Sequence, residues 1–355
     1  MFKDLKIFKV ITFNKRKIMK NKLLLTSALA GSLLVSASAF AETKITGSIE
    51  ASWSGDSASQ TGTASGDGIG METQINISNS GDLNIGGMTY QAGFSIEADG
   101  GMDAYEGAYI RVISGGTSLE VGQDAFQPLD GTVTPRVSID AASMDPNATN
   151  VITYTGSAGD DLSENMGIGL AQVIDGIGKV GIWYARSDLA GSAGGGNDGF
   201  VATDTPSGYE YNFKGNLGVE GLTVLLGKSV EEKGQTDGQK QEGEMYSVAY
   251  NFGQFAVGVA KVDNQPHTVG TENESDEIGV TYSVNDNMSV GLQYIKTDIT
   301  TASVAAADDE KVVMASIGYN LGGIGMSINY ADVNSAGGAA NADHEFFNIR
   351  LKSSF

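Results

Sequence analysis

Apolar and polar residues alternate with a period of two in segments that recur from Lys44 to the last residue of the chain. In KITGSIEASW, at 44–53, the odd-numbered positions are apolar or glycine and the even-numbered positions are polar or charged. The final segment, FFNIRLKSSF, alternates in the same way and ends on Phe355, in step with its apolar face. Because successive side chains of a strand point to opposite faces, this pattern predicts β-strands with one apolar and one polar face.

The alternation predicts sixteen strands. They lie near 44–53, 69–78, 88–98, 106–114, 117–123, 150–156, 179–187, 208–216, 222–231, 244–252, 255–263, 276–284, 288–297, 310–320, 324–333 and 344–355. A further segment at 166–174, MGIGLAQVI, is interpreted as part of a longer connection, because counting it breaks the order of the connections. The stretch 157–178 leaves open whether the chain has 16 or 18 strands.

The predicted connections alternate between tight turns, such as NFGQF and VNDN, and longer acidic stretches. All five prolines fall in the long connections and none in a predicted strand, as expected where each strand is paired on both sides. A soluble β-sandwich or β-helix is the alternative, but the polar faces rich in Thr, Ser, Gln, Glu and Gly suit a water-filled lumen. The sequence therefore predicts an all-β fold, a transmembrane antiparallel up-and-down barrel of about 16 strands with long extracellular loops and short periplasmic turns.

The N-terminal segment has the composition of an export signal. Lys20 and Lys22 precede an apolar stretch that ends with the small residues Ala39 and Ala41, which is the pattern of a cleaved signal peptide rather than of a membrane anchor. Met19 is the more natural start. We therefore predict two parts: an N-terminal extension with a cleaved signal peptide at 1–41, and a transmembrane β-barrel domain at 42–355.

Charge and composition exclude several classes of function. Eight of the 22 basic residues and one of the 43 acidic residues precede Glu42, so the remainder has a formal net charge of −28. Such a chain lacks the basic surface that nucleic acids require. It also has no cysteine for disulfide bonds. Its two histidines, His267 and His344, have no recognisable catalytic spacing, so we expect neither an enzyme nor a cofactor.

Four features together resemble one known family. They are the signal peptide, the opening strand KITGSIEASW, the phrase SLEVGQDAF before a long connection, and the terminal Phe355. In this order they are similar to the general, trimeric porins of Gram-negative outer membranes. The resemblance implies an outer-membrane homotrimer whose third long loop folds into the lumen as a constriction. It also implies that the barrel-assembly machinery reads Phe355 as an assembly signal, and that the barrel contacts outer-membrane lipids and lipopolysaccharide.

Charged residues at the pore are the candidates for selectivity, because a pore selects ions by its width and by charges at its narrowest point. The connection 124–149 would form an acidic lip if it folds inward, since Asp124, Asp130, Asp140 and Asp145 outnumber its one cation, Arg136. Strand parity predicts that basic side chains of the wall face the lumen. These are Lys44, Arg111, Lys214, Arg350 and Lys352, and by the same parity Glu50, Glu72, Glu97, Glu120 and Glu210 face it too.

The sequence thus predicts a passive diffusion channel for ions and small hydrophilic solutes that prefers cations. The alternative is a plugged structural or adhesive barrel whose acidic loops bind divalent cations and lipopolysaccharide. In that alternative the loop acids bind metal ions, whereas the simplest interpretation of these acids is that they are only solvated surface groups. A third hypothesis is an outer-membrane enzyme, against which the scarcity of histidine argues. Electrical conductance separates the first two hypotheses.

Overall fold

In the computed structural model, the chain forms a closed antiparallel barrel of sixteen strands. The structure describes residues 42–56, 68–97, 106–122, 129, 132–136, 158, 167–185, 207–232, 240–265, 272–300, 308–340 and 342–355. Across these residues, no helix is both long enough and apolar enough to cross a membrane.

Each strand pairs with its neighbours in the sequence. The first eight are β1 (Glu42–Asp56), β2 (Gly68–Asp82), β3 (Thr89–Glu97), β4 (Glu106–Ser114), β5 (Thr117–Gly122), β6 (Gly167–Ile174), β7 (Gly178–Ala185) and β8 (Ser207–Gly215). The other eight are β9 (Leu222–Glu232), β10 (Lys240–Phe252), β11 (Phe255–Gln265), β12 (Glu272–Asn285), β13 (Met288–Thr300), β14 (Glu310–Asn320), β15 (Ile324–Asn334) and β16 (His344–Ser354). A 3₁₀ turn, Ala336–Gly338, precedes β16.

The barrel closes where the first strand meets the last. β1 pairs antiparallel with β16, with Ser48 opposite Ser354 and Trp53 opposite Ile349. At the end of this seam, the backbone N–H of Phe355 donates to the oxygen of Gly47 at 3.0 Å, and the N–H of Gly47 donates back at 2.9 Å. Closure leaves no edge strand, so every strand has partners for its backbone groups, as a barrel in lipid requires.

The outer face carries the apolar residues that the alternation predicted. Ile110, Ile182 and Leu292 are each about 60% exposed, at 63%, 59% and 64%. Aromatic side chains cluster at the short-turn end, where the Phe252 ring stacks on Phe255 at 5.7 Å and Phe255 contacts Tyr282. An exposed apolar band with aromatic rings at its border is the surface that a bilayer solvates.

The inner face is mostly polar but includes an apolar cluster that the sequence analysis did not predict. Met245, Ile295, Val312 and Phe346, from four different strands, are at most 1% exposed on this face. Leu129, from the long connection between β5 and β6, belongs to the same cluster. Part of that connection therefore packs against an apolar sector of the inner wall.

The predicted number of strands is correct, but the interpretation of one segment was wrong. The segment interpreted as a connection is β6, Gly167–Ile174, which pairs with both β5 and β7. The segment predicted as a strand at 150–156 lies outside the described residues. The connection from β5 to β6 therefore spans 123–166 instead of ending near 149. This connection lies at the end of the barrel that has the other long connections, so short turns and long loops still alternate along the chain.

The order of connections gives a test of orientation. We expect tags inserted in 188–207 and 298–309 to be reached by antibodies on intact cells. A tag in NFGQF, between β10 and β11, should be reached only after the outer membrane is opened, because short turns face the periplasm in such barrels. Labelling of the NFGQF tag on intact cells would reverse the assigned orientation.

Candidate functional site

Part of the connection from β5 to β6 lies against the inner wall of the barrel. The backbone N–H of Val133 donates to Ser247 Oγ on β10 at 2.9 Å, and Thr132 Oγ1 donates to Glu277 Oε2 on β12 at 2.7 Å. At a second point of the same connection, Ser229 on β9 donates to the backbone oxygen of Ala158. These bonds fix 132–136 and Ala158, two of the three described pieces of the connection, inside the barrel.

Glycines of the inner face make room for this connection. Gly258 on β11 and Gly279 on β12 are directly paired. A Cβ atom at Gly279 would lie 2.5 Å from both the backbone oxygen of Pro135 and Thr134 Cγ2, and one at Gly258 would lie 2.6 Å from Pro135 Cδ. On the two preceding strands, a Cβ atom at Gly227 would lie 2.8 Å from Leu129 Cδ2, and one at Gly243 would overlap the backbone oxygen of Ala158. We call these four residues the glycine seat, since any side chain there would displace the connection.

Arg136 is bound to the wall rather than free in the lumen. Its Nη2 donates to Thr132 Oγ1 at 2.9 Å and lies 3.8 Å from Glu277 Oε1. Glu277 is buried and also accepts a bond from Gln293 on β13. One carboxylate thus holds both the loop hydroxyl and the loop cation. It was not among the predicted residues, since a contact between residues 132 and 277 leaves no signal in a single sequence.

The predicted basic residues all lie on the inner face but not in one cluster. Arg111 on β4 forms an ion pair with the buried Glu120 on β5, and its Nη1 donates to Gln91 Oε1 at 3.1 Å. Lys179, which the prediction omitted, interacts electrostatically with Arg111 and Glu120. This group occupies the sector formed by β3 to β7, which the barrel order separates from β12 and Glu277.

A second basic group lies at the seam. Arg350 and Lys352 both pair with Glu50 on β1, and the distance from Lys352 Nζ to Glu50 Oε2 is 3.5 Å. These two cations line a cavity of about 740 Å³ near the periplasmic turns, together with serine and asparagine side chains such as Ser289. Lys44 lies exposed near the start of β1, on the same face of that strand as Glu50.

The three acidic residues predicted for the constriction, Asp124, Asp130 and Asp140, lie outside the described residues. Leu129 and Thr132, one residue before and two residues after Asp130, are described, and both contact the inner wall. Among the residues that the structure describes, no group of three or more His, Cys, Asp or Glu could hold a metal ion. The site is therefore a water-accessible lumen with a bound loop and fixed charges, without a described metal-binding cluster.

A family model described as Gram-negative porin matches residues 26–337. The chain belongs to the Gram-negative porin family. It is accordingly an outer-membrane porin, and members of this family are channel proteins. A search among curated protein sequences finds no significant match.

Solved porin structures share the fold at low sequence identity. The Salmonella typhi OmpF complex with daunomycin is 13% identical, with a TM-score of 0.63 over 88% of this chain and 97% of that one. In vitro folded OmpT of Vibrio cholerae, in its trimer form, is 11% identical, with a TM-score of 0.61 over 89% and 100%. A mutant of Rh. blastica porin is 14% identical, with a TM-score of 0.59 over 88% and 100%. At these identities the similarity establishes the architecture of the barrel.

Proposed function

We propose that this porin is a passive diffusion channel for ions and small hydrophilic solutes that prefers cations, with the β5–β6 connection as its constriction. The observation that carries the proposal is the seating of 132–136 on the inner wall through Ser247, Glu277 and the glycine seat. A segment held inside a barrel narrows it. Because Asp124, Asp130 and Asp140 belong to the same connection, carboxylates at the narrowest section would attract cations and repel anions.

The wall charges set the size of the preference. Glu120 and Glu50 neutralise part of the charge of Arg111, Arg350 and Lys352. Two charges about 4 Å apart interact by roughly 4 kcal/mol at an effective dielectric of 20, and by much less across water. We therefore expect a modest preference that is clear in dilute salt and weak in molar salt, because screening lengths are about 10 Å at 0.1 M and 3 Å at 1 M.

A comparison of two sets of acid replacements tests the constriction. Replacing Asp124, Asp130 and Asp140 by Asn should lower the cation preference more than replacing Asp298, Asp308 and Asp309 by Asn. Asp298 and Asp309 lie 2.6 and 3.0 Å from Lys296, which projects from the outer face of β13. Replacing Arg111 by Gln should strengthen the preference by removing a wall cation. The measurement is the reversal potential across a planar bilayer with a salt gradient.

Equal shifts from the two acid sets would show that the β5–β6 connection is not the constriction. Anion preference of the intact channel in dilute salt would refute the electrostatic part of the proposal. Neither result would affect the assignment to the porin family, which rests on the sequence match.

One observation supports the alternative of a plugged barrel. It is the apolar sector of the inner wall around Met245, Ile295 and Phe346. A plug would rest on such a surface. Single-channel conductance decides between the two, since a plugged barrel would give no ion current. In that case the acidic loops would act by binding divalent cations and lipopolysaccharide.

We further propose that the protein acts as a homotrimer in contact with outer-membrane lipids and lipopolysaccharide. The solved trimer form of OmpT, which shares this fold, supports the homotrimer by analogy. Cross-linking of the protein in native membranes, followed by gel electrophoresis without heating, would show whether three copies associate.

A further inference from the structure

The connection from β5 to β6 is held on one side of the barrel. Its described hydrogen bonds to the wall and its closest backbone contacts are with β9, β10, β11 and β12, through Ser229, the glycine seat, Ser247 and Glu277. In the closed ring of sixteen strands, β10 and β11 lie opposite β2 and β3. The connection therefore leaves the most room for water along the wall that contains β2 and β3.

The burial of inner-face side chains divides the wall in the same way. On β2, β3 and β4, none of the described inner-face residues is buried. From β9 to β16, inner-face residues toward the long connections are buried, and five that are at most 6% exposed are Ser229, Met245, Ser275, Ile295 and Val312. At this height, the part of the wall that water reaches is therefore formed by β2, β3 and β4.

Glu72 is a carboxylate of this accessible wall. It lies on the inner face of β2, partly exposed and directly opposite Glu50 of β1. Glu50 is paired on its other side with Arg350 and Lys352, which makes two carboxylates on directly opposed positions tolerable. No ion pair joins Glu72 to a cation among the residues that the structure describes. The charge of Glu72 therefore acts on ions in the water of the lumen.

The other described charges of this wall are paired or lie nearer the short turns. Arg111 on β4 is paired with Glu120. Glu42, Lys44 and Asp82 are exposed at the ends of β1 and β2 that meet the first short turn. Glu72 lies ten residues from the end of β2, just as Ser275, on the wall that carries the connection, lies ten residues from the end of β12. Glu72 is therefore at the height where the connection narrows the lumen.

We propose that ions cross this porin along the wall formed by β2, β3 and β4, and that Glu72 is a determinant of its cation preference. The inference rests on the proposed channel function. A carboxylate beside the narrowed path attracts cations and repels anions, because fixed charges at a constriction select the passing ions. Since Glu72 acts across water and within a screening length of about 10 Å at 0.1 M salt, its effect on the permeability ratio should be on the order of twofold.

The first test neutralises Glu72 and a carboxylate beneath the connection. Glu72→Gln should lower the cation-to-anion permeability ratio by on the order of twofold in salt of about 0.1 M, and Glu72→Asp should retain the ratio of the intact protein. The matched control is Glu231→Gln. Glu231 is 3% exposed on β9 and is the next inner-face residue after Ser229, which holds Ala158. This control should shift the reversal potential across a planar bilayer much less.

The second test maps the path itself. The chain has no cysteine, so Gln74→Cys on β2 and Ser275→Cys on β12 each supply one thiol. Gln74 is partly exposed, whereas Ser275 is 4% exposed and its Oγ lies 2.9 Å from Thr297 Oγ1. A negatively charged thiol reagent should raise the cation preference and lower the single-channel current of the Gln74→Cys variant. It should leave the current of the Ser275→Cys variant unchanged.

Three results would overturn the inference and leave the channel function standing. Equal shifts from Glu72→Gln and Glu231→Gln would show that Glu72 has no special position. A ratio as low in Glu72→Asp as in Glu72→Gln would assign the effect to altered structure instead of lost charge. Equal changes of current after modification of the two cysteine variants would show that the path does not follow β2, β3 and β4. Absence of any conductance in the intact protein would refute the channel function and this inference with it.

Discussion

Replacing Gly279 by Ala is expected to displace the segment 132–136 from the inner wall and to raise the single-channel conductance. The added Cβ would lie 2.5 Å from the backbone oxygen of Pro135 and from Thr134 Cγ2, and Cβ atoms in proteins essentially never make contacts this short. The strand cannot retreat, because β12 is hydrogen-bonded to β11 on one side and to β13 on the other. The loop must therefore move, and the overpacking should cost about 1–3 kcal/mol of stability.

Gly325→Ala is the matched control for this variant. Gly325 also lies on the inner face, on β15, but the nearest atom to an added Cβ is the backbone oxygen of Lys352 at 3.7 Å, an ordinary contact. Conductance and thermal stability of this control should equal those of the intact protein. Replacing Gly279 by Val should enlarge the effect. If the Gly279 variants conduct as the intact protein does, the glycine seat does not hold the loop.

The fold was largely predictable because a barrel in lipid imposes the same pattern on every strand. The exception, β6, shows where that pattern fails. Its outward residues Ile168 and Leu170 are apolar as expected, but inward it has Gly167 and Gly169 instead of polar side chains. A Cβ at Gly167 would lie 2.5 Å from Cζ2 of Trp183, whose indole covers this part of the wall. The strand therefore alternates apolar with small residues and lacks a polar face, so the order of the connections decided its interpretation, and that order was misleading here.

The site was predictable only to the level of strand parity. Parity alone predicts that Arg111, Arg350 and Lys352 face the lumen, and the structure places them there, while their role in selectivity stays a prediction. The partners that hold the loop were not predictable. Ser247 and Glu277 contact it over sequence separations of 114 and 145 residues, and periodicity along a strand contains no information about such pairs.

Removing Phe355 is expected to lower sharply the amount of folded, heat-modifiable barrel in membranes. Two backbone hydrogen bonds join this residue to Gly47 at the seam, and each such bond contributes about 1 kcal/mol net. The ring extends over Gly47, where an added Cβ would lie 2.6 Å from Phe355 Cζ, yet it remains 62% exposed on the outer face. The deletion thus removes the last pair of the closing ladder and the predicted assembly signal.

Two substitutions separate these contributions. Phe355→Ala keeps the backbone pair with Gly47 and removes only the ring, so a strong loss of yield would assign the effect to the ring. Phe252→Ala removes a comparable ring at the same end of the barrel, 47% exposed and stacked on Tyr250 and Phe255, but in the middle of the chain. If the ring of Phe355 serves only as an aromatic anchor in the bilayer, the two alanine variants should give equally low yields of folded barrel. An assembly signal requires that only Phe355→Ala accumulates unfolded, because recognition of the terminal strand precedes insertion. An unchanged yield after deletion of Phe355 would show that the terminal ring is dispensable for assembly.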